Sequence, residues 1–504
     1  MIYRPANERL WDSWIVPHNE KFYLFYIRVS ENGTRWDGIS LAISDDLLHW
    51  QEYGPVLEKH PEAIWLGTGM VQRIGDRFIM NFSEERPVGT QYITFAQSSN
   101  LLEWERLDDI QLKPDPAYYV VDPLDSCEEL PRWDSLGIVE ALEDVPPPYT
   151  AFLTAHGSDR KHKGKSGVLG MLTSEDGLQW SALPPVTSAD LYPNFEVPEY
   201  LSLNGRHYVI FSTVSLHGTR YDERSLDFSG GTYYVVSDAL EGPYRMPPGD
   251  PMLLGIRNHI NVVMAYVGRV IRHQDGYLFY HIWGDHSSNG RIGIPKILKE
   301  TAPWELGLYY WDGCEKLKGE LLTSDFSEDK LVSLRQVGHI PSVTWSTPNE
   351  AIHFSGSGGV DAVQWLLDQP GSQTQGTIND LQNGRIIEFT LTVNNGIGAG
   401  IWLGEQKLCL FFNVKSGRIE CGNLLNGWMA AQVLKIDVFQ AWNFTYGEAM
   451  NIRIFTRNEC IEVFVNDRHA LCYRLTEALP PSSIGFFVED ADGSIGNMNR
   501  WQMQ

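Results

Sequence analysis

The chain has 504 residues, enough for two or three domains of ~100–200 residues, each with its own core. Its 40 Lys plus Arg against 64 Asp plus Glu give a formal net charge of −24, which argues against nucleic acid and against membrane surfaces as partners. With 43% hydrophobic and 21% charged residues the composition is globular, and a 12% aromatic share with 17 Trp and 22 Tyr suits β-structure and flat walls for sugar rings.

Met1 to Glu8 lacks a charged start followed by an apolar stretch, and no run of about 18 apolar residues follows, so a cytoplasmic chain is expected. Short apolar-aromatic strands then recur: Phe22–Tyr26, Phe78–Phe82, Tyr149–Leu153, Tyr208–Phe211 and Tyr277–Tyr280. Turn pairs such as Asn204-Gly205 and Asp275-Gly276 stand just before two of them, where a tight hairpin needs positive φ. A pattern Ser-x-Asp/Asn-x-Leu-x-Trp follows three of the strands, at Ser44–Trp50, Ser98–Trp104 and Ser174–Trp180, with an echo at Ser237–Leu240. Five units of about four short strands each, with almost no helical periodicity, predict an all-β five-bladed β-propeller over residues 1–335. From Thr347 onward, longer alternating strands such as Ile386–Leu391, Asn451–Phe455, Ile461–Val465 and Ser483–Phe487 predict a C-terminal β-sandwich over 336–504. Its main aromatics, Trp402, Phe411, Phe412 and Trp428, sit in apolar strand patterns and are expected inside.

The six cysteines show no CxxC or zinc-type spacing and read as buried small hydrophobes. No His/Cys/Asp grouping has metal-ligand spacing and no GxGxxG or P-loop occurs, so neither a metal nor a cofactor is expected. The basic run from Asp159 to Lys165 and the group Asp222, Glu223 and Arg224 read as solvated loops.

Because the inner strand of each propeller blade starts near the central axis, acids remote in sequence can converge there. Asp12, Asp134 and Glu196 each stand roughly 10 to 15 residues ahead of a hairpin strand, in the inner-strand slot of their unit. A carboxylate among apolar residues is costly to bury unless it is paired or used. Glycoside cleavage uses such a set: one carboxylate attacks the anomeric carbon, another carboxyl protonates the leaving oxygen, and a flanking charge stabilises the oxocarbenium-like transition state. Asp12 is assigned as nucleophile, with Ser13 and backbone amides expected to keep it ionised; Glu196 is assigned as acid/base, with Phe195, Val197 and Pro198 expected to raise its pKa. Acids on blade rims are the structural alternative.

These residues resemble a known clan. Trp11-Asp12-Ser13-Trp14 is similar to the nucleophile segment of glycoside hydrolase families 32 and 68, Glu196-Val197-Pro198 to the family 32 Glu-Cys-Pro segment, and Ile294-Pro295-Lys296 to its Pro-Arg element. Trp65-Leu66-Gly67-Thr68-Gly69 resembles the Trp-Ser-Gly-Ser segment, and Glu462–Asn466 with Gly485–Asp490 resemble the family 32 sandwich. The resemblance implies a retaining hydrolase of β-fructofuranosides (sucrose, fructo-oligosaccharides, inulin or levan), with Asp134 as the transition-state stabiliser. Trp11, Trp14, Trp36, Trp65, Thr68, Arg132, Trp133 and His259 are expected around the substrate. The Asn-Asp-Pro-Asn stretch of the family is absent, and Arg-Asp-Pro becomes Arg132-Trp133-Asp134-Ser135, which leaves the sugar and linkage open. Asp115 and Asp122, each followed by proline, compete with Asp134 for its role. A fructosyltransferase, a hydrolase of an arabinofuranoside or cyclic fructose disaccharide, and a non-catalytic carbohydrate-binding propeller are the alternatives. The partner in each case is a small or oligomeric sugar, and a homo-oligomer is compatible with the sequence.

Overall fold

A computed structural model describes residues 2–30, 36–86, 90–120, 132–158, 167–213, 229–257, 265–274, 276–284, 290–323, 331–333, 343–348, 351–356, 360–365, 384–404, 408–424, 434–475 and 484–504. His259, Asp122, Trp428, the basic run at 159–165 and the acidic group at 222–224 lie outside them. Among the described residues no helix is long and apolar enough to cross a membrane.

Contacts divide the chain into two compact units, one of 2–255 with 260–308 and the other mainly of 309–504. In the first unit four antiparallel four-stranded sheets form in sequence order. They are β1 (Glu8–His18), β2 (Lys21–Ser30), β3 (Gly38–Ser44) and β4 (Trp50–Glu58); β5 (Trp65–Ile74), β6 (Arg77–Arg86), β7 (Thr90–Ser98) and β8 (Glu105–Leu112); β9 (Trp133–Ile138), β10 (Tyr149–His156), β11 (Gly167–Ser174) and β12 (Trp180–Leu183); and β13 (Glu196–Leu203), β14 (Arg206–Thr213), β15 (Ser229–Ser237) and β16 (Met252–Arg257). The five recurrent aromatic strands are the second strands of their repeats, because each is flanked by neighbours on both edges and is apolar on both faces.

The sheets stack like blades, and the core lies between them. Trp14, Phe25, Leu41, Met80 and Phe82 fill the space between the first and second sheets, and Phe95, Trp133, Leu136 and Leu153 that between the second and third. Phe152, Phe195, Phe211 and Tyr233 do the same between the third and fourth. Five blades are expected from the sequence, but among the described residues only four close as separate four-stranded sheets. In the fifth repeat, β17 (Ala265–His273) pairs with β18 (Gly276–Trp283), whose other edge meets two pieces, β19 (Arg291–Ile292) and β20 (Lys296–Ala302). Pro295, which has no N–H to give a ladder, falls in the gap between these pieces, and the ladder runs on past β20 into β21 (Glu305–Tyr310).

The recurring Ser-x-Asp/Asn motif is the turn between third and fourth strands. Ser44 Oγ accepts the N–H groups of Asp46 and Leu47, Asp46 Oδ1 accepts those of Leu48 and His49, and Trp50 Nε1 donates to the Leu47 carbonyl. The same bonds recur around Ser98, Asn100 and Trp104, and around Ser174, Asp176 and Trp180. Leu47 and Leu101 hold φ of 68° and 66° in this turn, and the third copy places Gly177 there at 73°, the residue that adopts this region without strain.

The second unit is rich in sheet. Two long strands, Arg385–Leu403 and Ile484–Met503, pair antiparallel along their length, with register shifts at Glu388/Thr390 and Val393/Asn395. The first half of Arg385–Leu403 also pairs with Ala449–Arg457, and the second half with Leu408–Asn413. Trp402, Cys409, Phe411 and Phe487 form a buried cluster there, with the rings of Phe411 and Phe487 stacked at 5.4 Å.

Candidate active site

The inner strands β1, β5, β9, β13 and β17 lie next to one another around the axis, and β17 also neighbours β1. Each breaks register with its second strand at the same place: between Leu10 and Ser13, Leu66 and Gly69, Asp134 and Gly137, Glu196 and Glu199, and Tyr266 and Arg269. These are β-bulges, two residues opposing one, and a bulge re-aims the side chains beside it. Ser135, Val197 and Val267 take φ of 58°, 51° and 48° within them, a region rarely occupied by a β-branched residue.

Register places the acids more finely than sequence spacing does. Asp134 and Glu196 are equivalent, each being the last paired residue before its bulge. Asp12 belongs to the bulge of β1, two residues beyond that position, so the three acids are not in identical slots. The bulges still bring them together. The Arg132 guanidinium donates to Glu196 Oε1 at 2.7 Å and to Asp134 Oδ2 at 3.1 Å, and Asn194 Nδ2 donates to Glu196 Oε1 at 3.1 Å. Ser83 Oγ donates to Asp134 Oδ1 and accepts the Ser135 N–H at 3.1 Å. Thr68 Oγ1 donates to Asp12 Oδ2, while Oδ1 has no hydrogen-bond partner. A Cβ on Gly67 would meet Asp134 Oδ1 at 3.3 Å and Trp65 Cζ3 at 2.6 Å, so glycine keeps this spot open.

Burial, followed by the charges of Glu196 and Asp134, pushes the Asp12 carboxyl from 3.8 up to about 7, against the Thr68 hydrogen bond and the Arg269 charge that lower it. This corrects the expectation that Ser13 and backbone amides hold Asp12 low: Ser13 Oγ has no hydrogen-bond partner. The surroundings of Glu196 also differ from expectation. Phe195 is packed against Tyr192 and Phe211, and the carboxylate faces Arg132 and Asn194.

Of the expected substrate-binding residues, Thr68 and Arg132 touch the acids directly. Trp11, Trp36 and Trp65 form an aromatic row, with Trp11 and Trp36 stacked at 6.4 Å, Trp36 edge-on to Trp65 at 5.6 Å, and Tyr266 beside Trp11 at 6.5 Å. Trp65 Nε1 donates to Glu85 Oε2 at 2.8 Å. Trp14 and Trp133 do not join this row. Trp14 is buried on Phe25, and Trp133 on Tyr119 with Nε1 donating to the Leu112 carbonyl, because alternation along β1 and β9 turns both into the spaces between sheets. Asp115 builds an exposed turn, accepting the Ala117 N–H, and so does not compete with Asp134. Glu199, Arg269, Asn194 and Ser83 are site neighbours that motif reading missed. Glu199 was visible as the acid following Glu196-Val197-Pro198, whereas nothing in the local sequence of Arg269 points to the axis. Among the described residues no group of three His, Cys, Asp or Glu side chains could hold a metal ion.

No family model and no curated protein sequence matches the chain. Solved structures do. A family 32 β-fructofuranosidase of Bombyx mori matches at a TM-score of 0.62 and 10% identity, covering 99% of this chain and 93% of that one. Sucrose-6-phosphate hydrolase from Lactobacillus gasseri matches at 0.63 and 13%, over 100% and 93%. Fructan 1-exohydrolase IIa from Cichorium intybus matches at 0.63 and 14%, over 100% and 96%. At these identities the likeness establishes a shared fold along the whole chain.

Proposed function

We propose that the protein is a retaining glycoside hydrolase of β-fructofuranosides, working through a covalent fructosyl-enzyme. One observation carries this reading: Asp134 and Glu196 share Arg132, and both act by their charge on buried Asp12, which Thr68 holds, on three inner strands that also carry or adjoin a row of tryptophans. The solved structures whose fold the chain shares include a β-fructofuranosidase and a fructan exohydrolase, which supports the substrate class. In this reading the fifth repeat closes the ring as a fifth blade, the C-terminal strands build the sandwich, and the catalytic unit is the segment 1–335.

Asp12 Oδ1, the oxygen that Thr68 leaves free, attacks the anomeric carbon as the bond to the leaving oxygen breaks. Glu196 gives its proton to that oxygen, then takes one from the water that opens the ester and restores Asp12. Asp134 and Arg132 hold the ring hydroxyls and balance charge as the oxocarbenium-like state forms. The tryptophans present apolar faces to the sugar.

The test is turnover of sucrose, fructo-oligosaccharides, inulin and levan by the parent, Asp12→Ala and Glu196→Ala, with NMR of the first-formed anomer. Each variant is expected to lose several orders of magnitude in kcat while keeping its fold. A Glu196→Ala protein as fast as the parent would sink the assignment, and an inverted first product would sink the covalent intermediate. Sugar binding without turnover on any furanoside would leave a binding propeller, and transfer of fructose to a sugar would make it a transferase.

A further inference from the structure

The five bulges define a second layer one step further along the inner strands. The first paired residue after each bulge is Ser13, Gly69, Gly137, Glu199 or Arg269. Three of these are small, which leaves axial space. The other two fill it with an ion pair: Arg269 Nε donates to Glu199 Oε2 at 2.6 Å, with the two side chains only 3% and 9% exposed. The same guanidinium reaches across the axis, where Nη1 donates to the Gly69 carbonyl at 3.3 Å. Gly69 follows Thr68, whose hydroxyl holds Asp12. The backbone N–H of Val270 also hydrogen-bonds the Glu199 carboxylate.

Arg269 thus joins three inner strands, and its charge acts on Asp12. The other ionisable groups facing Asp12 are Glu196 on β13 and Asp134 on β9, with Arg132 between those two acids. Tyr280 on β18 pairs in register with Arg269 and accepts the Ile15 N–H at 2.8 Å, tying β18 to the strand that carries Asp12. Beyond the pair lies a cavity of about 280 Å³, bordered by Glu199 and Arg269 and also by Tyr200, Arg272 and Tyr277; Asp12 does not line it.

We propose that Arg269 is a positioning residue for Asp12: held by Glu199, it supplies a buried positive charge to that carboxyl within the ring and braces the Thr68–Gly69 backbone that seats it. This rests on Asp12 being the nucleophile. A buried cation favours the charged form of a nearby acid, so Arg269 offsets part of what burial and two neighbouring carboxylates impose on Asp12. Glu199 partly neutralises the cation, which gives the two partners opposite effects on Asp12.

The experiment follows the Asp12 carboxyl by carbon-13 NMR of aspartate-labelled protein against pH, alongside the pH profile of kcat/KM, with the Asp12 signal assigned from Asp12→Asn. Arg269→Met is expected to move the Asp12 midpoint up by about one pH unit, a tenfold change in proton affinity, and to move the acid limb of kcat/KM with it. Glu199→Gln is expected to move both down. Arg269→Lys keeps the charge but not the fork, so it is expected to hold the midpoint within about 0.3 unit while kcat falls about tenfold. A merely structural pair would lower stability in all three and leave the midpoint still, and that result overturns the proposal. If Arg269→Met or Glu199→Gln does not fold, Arg269→Lys decides: parent kcat, or a midpoint moved by a full unit, overturns it. The NMR titration reads the link whether or not the protein cleaves a fructoside. Full activity in Asp12→Ala would instead break the nucleophile assignment while leaving the electrostatic link standing.

Discussion

Strand β13 carries the glutamates of two Glu–Arg pairs three residues apart, and their settings differ. Glu196 and Arg132, before the bulge, are 12% and 22% exposed, and Arg132 is shared with Asp134. Glu199 and Arg269, after the bulge, are almost closed to solvent and brace strands across the axis. The chemistry is the same in both; exposure and the number of carboxylates on the arginine differ. A shared, reachable guanidinium can exchange a carboxylate for a sugar hydroxyl, whereas an enclosed one with fixed partners gives rigidity and a standing charge.

The sharpest way to break this contrast is to exchange each glutamate for glutamine. Glu196→Gln is expected to cost about 10³-fold or more in kcat with little change in thermal midpoint. Glu199→Gln should instead lower stability by about 3 kcal/mol, because it leaves Arg269 buried without its counter-charge. Thermal melts and steady-state kinetics on both variants check this, and equal stability losses would erase the distinction.

Removing the shared arginine comes next. Arg132→Met is expected to reduce kcat/KM about 10²-fold by freeing both acids of their common partner. A smaller effect than Arg269→Lys would mean that the wrong arginine has been placed at the sugar.

The raised Asp12 group makes a signed stability prediction. Its folded pKa of about 7 lies above the ordinary 3.8, so the folded state prefers the proton. The stability that this contributes is complete below about pH 4 and lost as pH rises through about 7. Asp12→Asn, which cannot ionise, should therefore match the parent in thermal midpoint near pH 4 and exceed it by several degrees at pH 8. A parent that melts at the same temperature as the variant at both values contradicts the burial of Asp12. With Asp12 as nucleophile, the acid limb of the parent's kcat/KM is expected near pH 7, and a pH–rate profile checks this.

The smallest expected effect lies far from the axis. Ser98→Ala removes the hydroxyl that accepts two turn N–H groups and should cost about 1 kcal/mol with unchanged kinetics. A kinetic effect there would show that blade edges and site are coupled.

Much of the fold was legible in the chain. The aromatic second strands and the Ser-x-Asp/Asn turns are local: alternation, turn chemistry and a side chain bonded to N–H groups two or three residues on are written within ten residues. The acids Asp12, Asp134 and Glu196 were legible as charges stranded in apolar strands. The ionisation of Asp12 was not, because it is governed by burial and then by Thr68, Glu196, Asp134 and Arg269 from four other strands.

The sequence by itself determined an all-β chain of repeats with three acids at strand starts, since a period of two and short-range turn bonds need no distant partner. Only the tertiary structure decided which faces those starts present. The bulges turn Asp12 to Thr68 and set Arg269 against Glu199 and the Gly69 carbonyl, while alternation beside them sends Trp14 and Trp133 between sheets. A bulge shifts register by one residue, and in a strand one residue is the difference between the axis and the core.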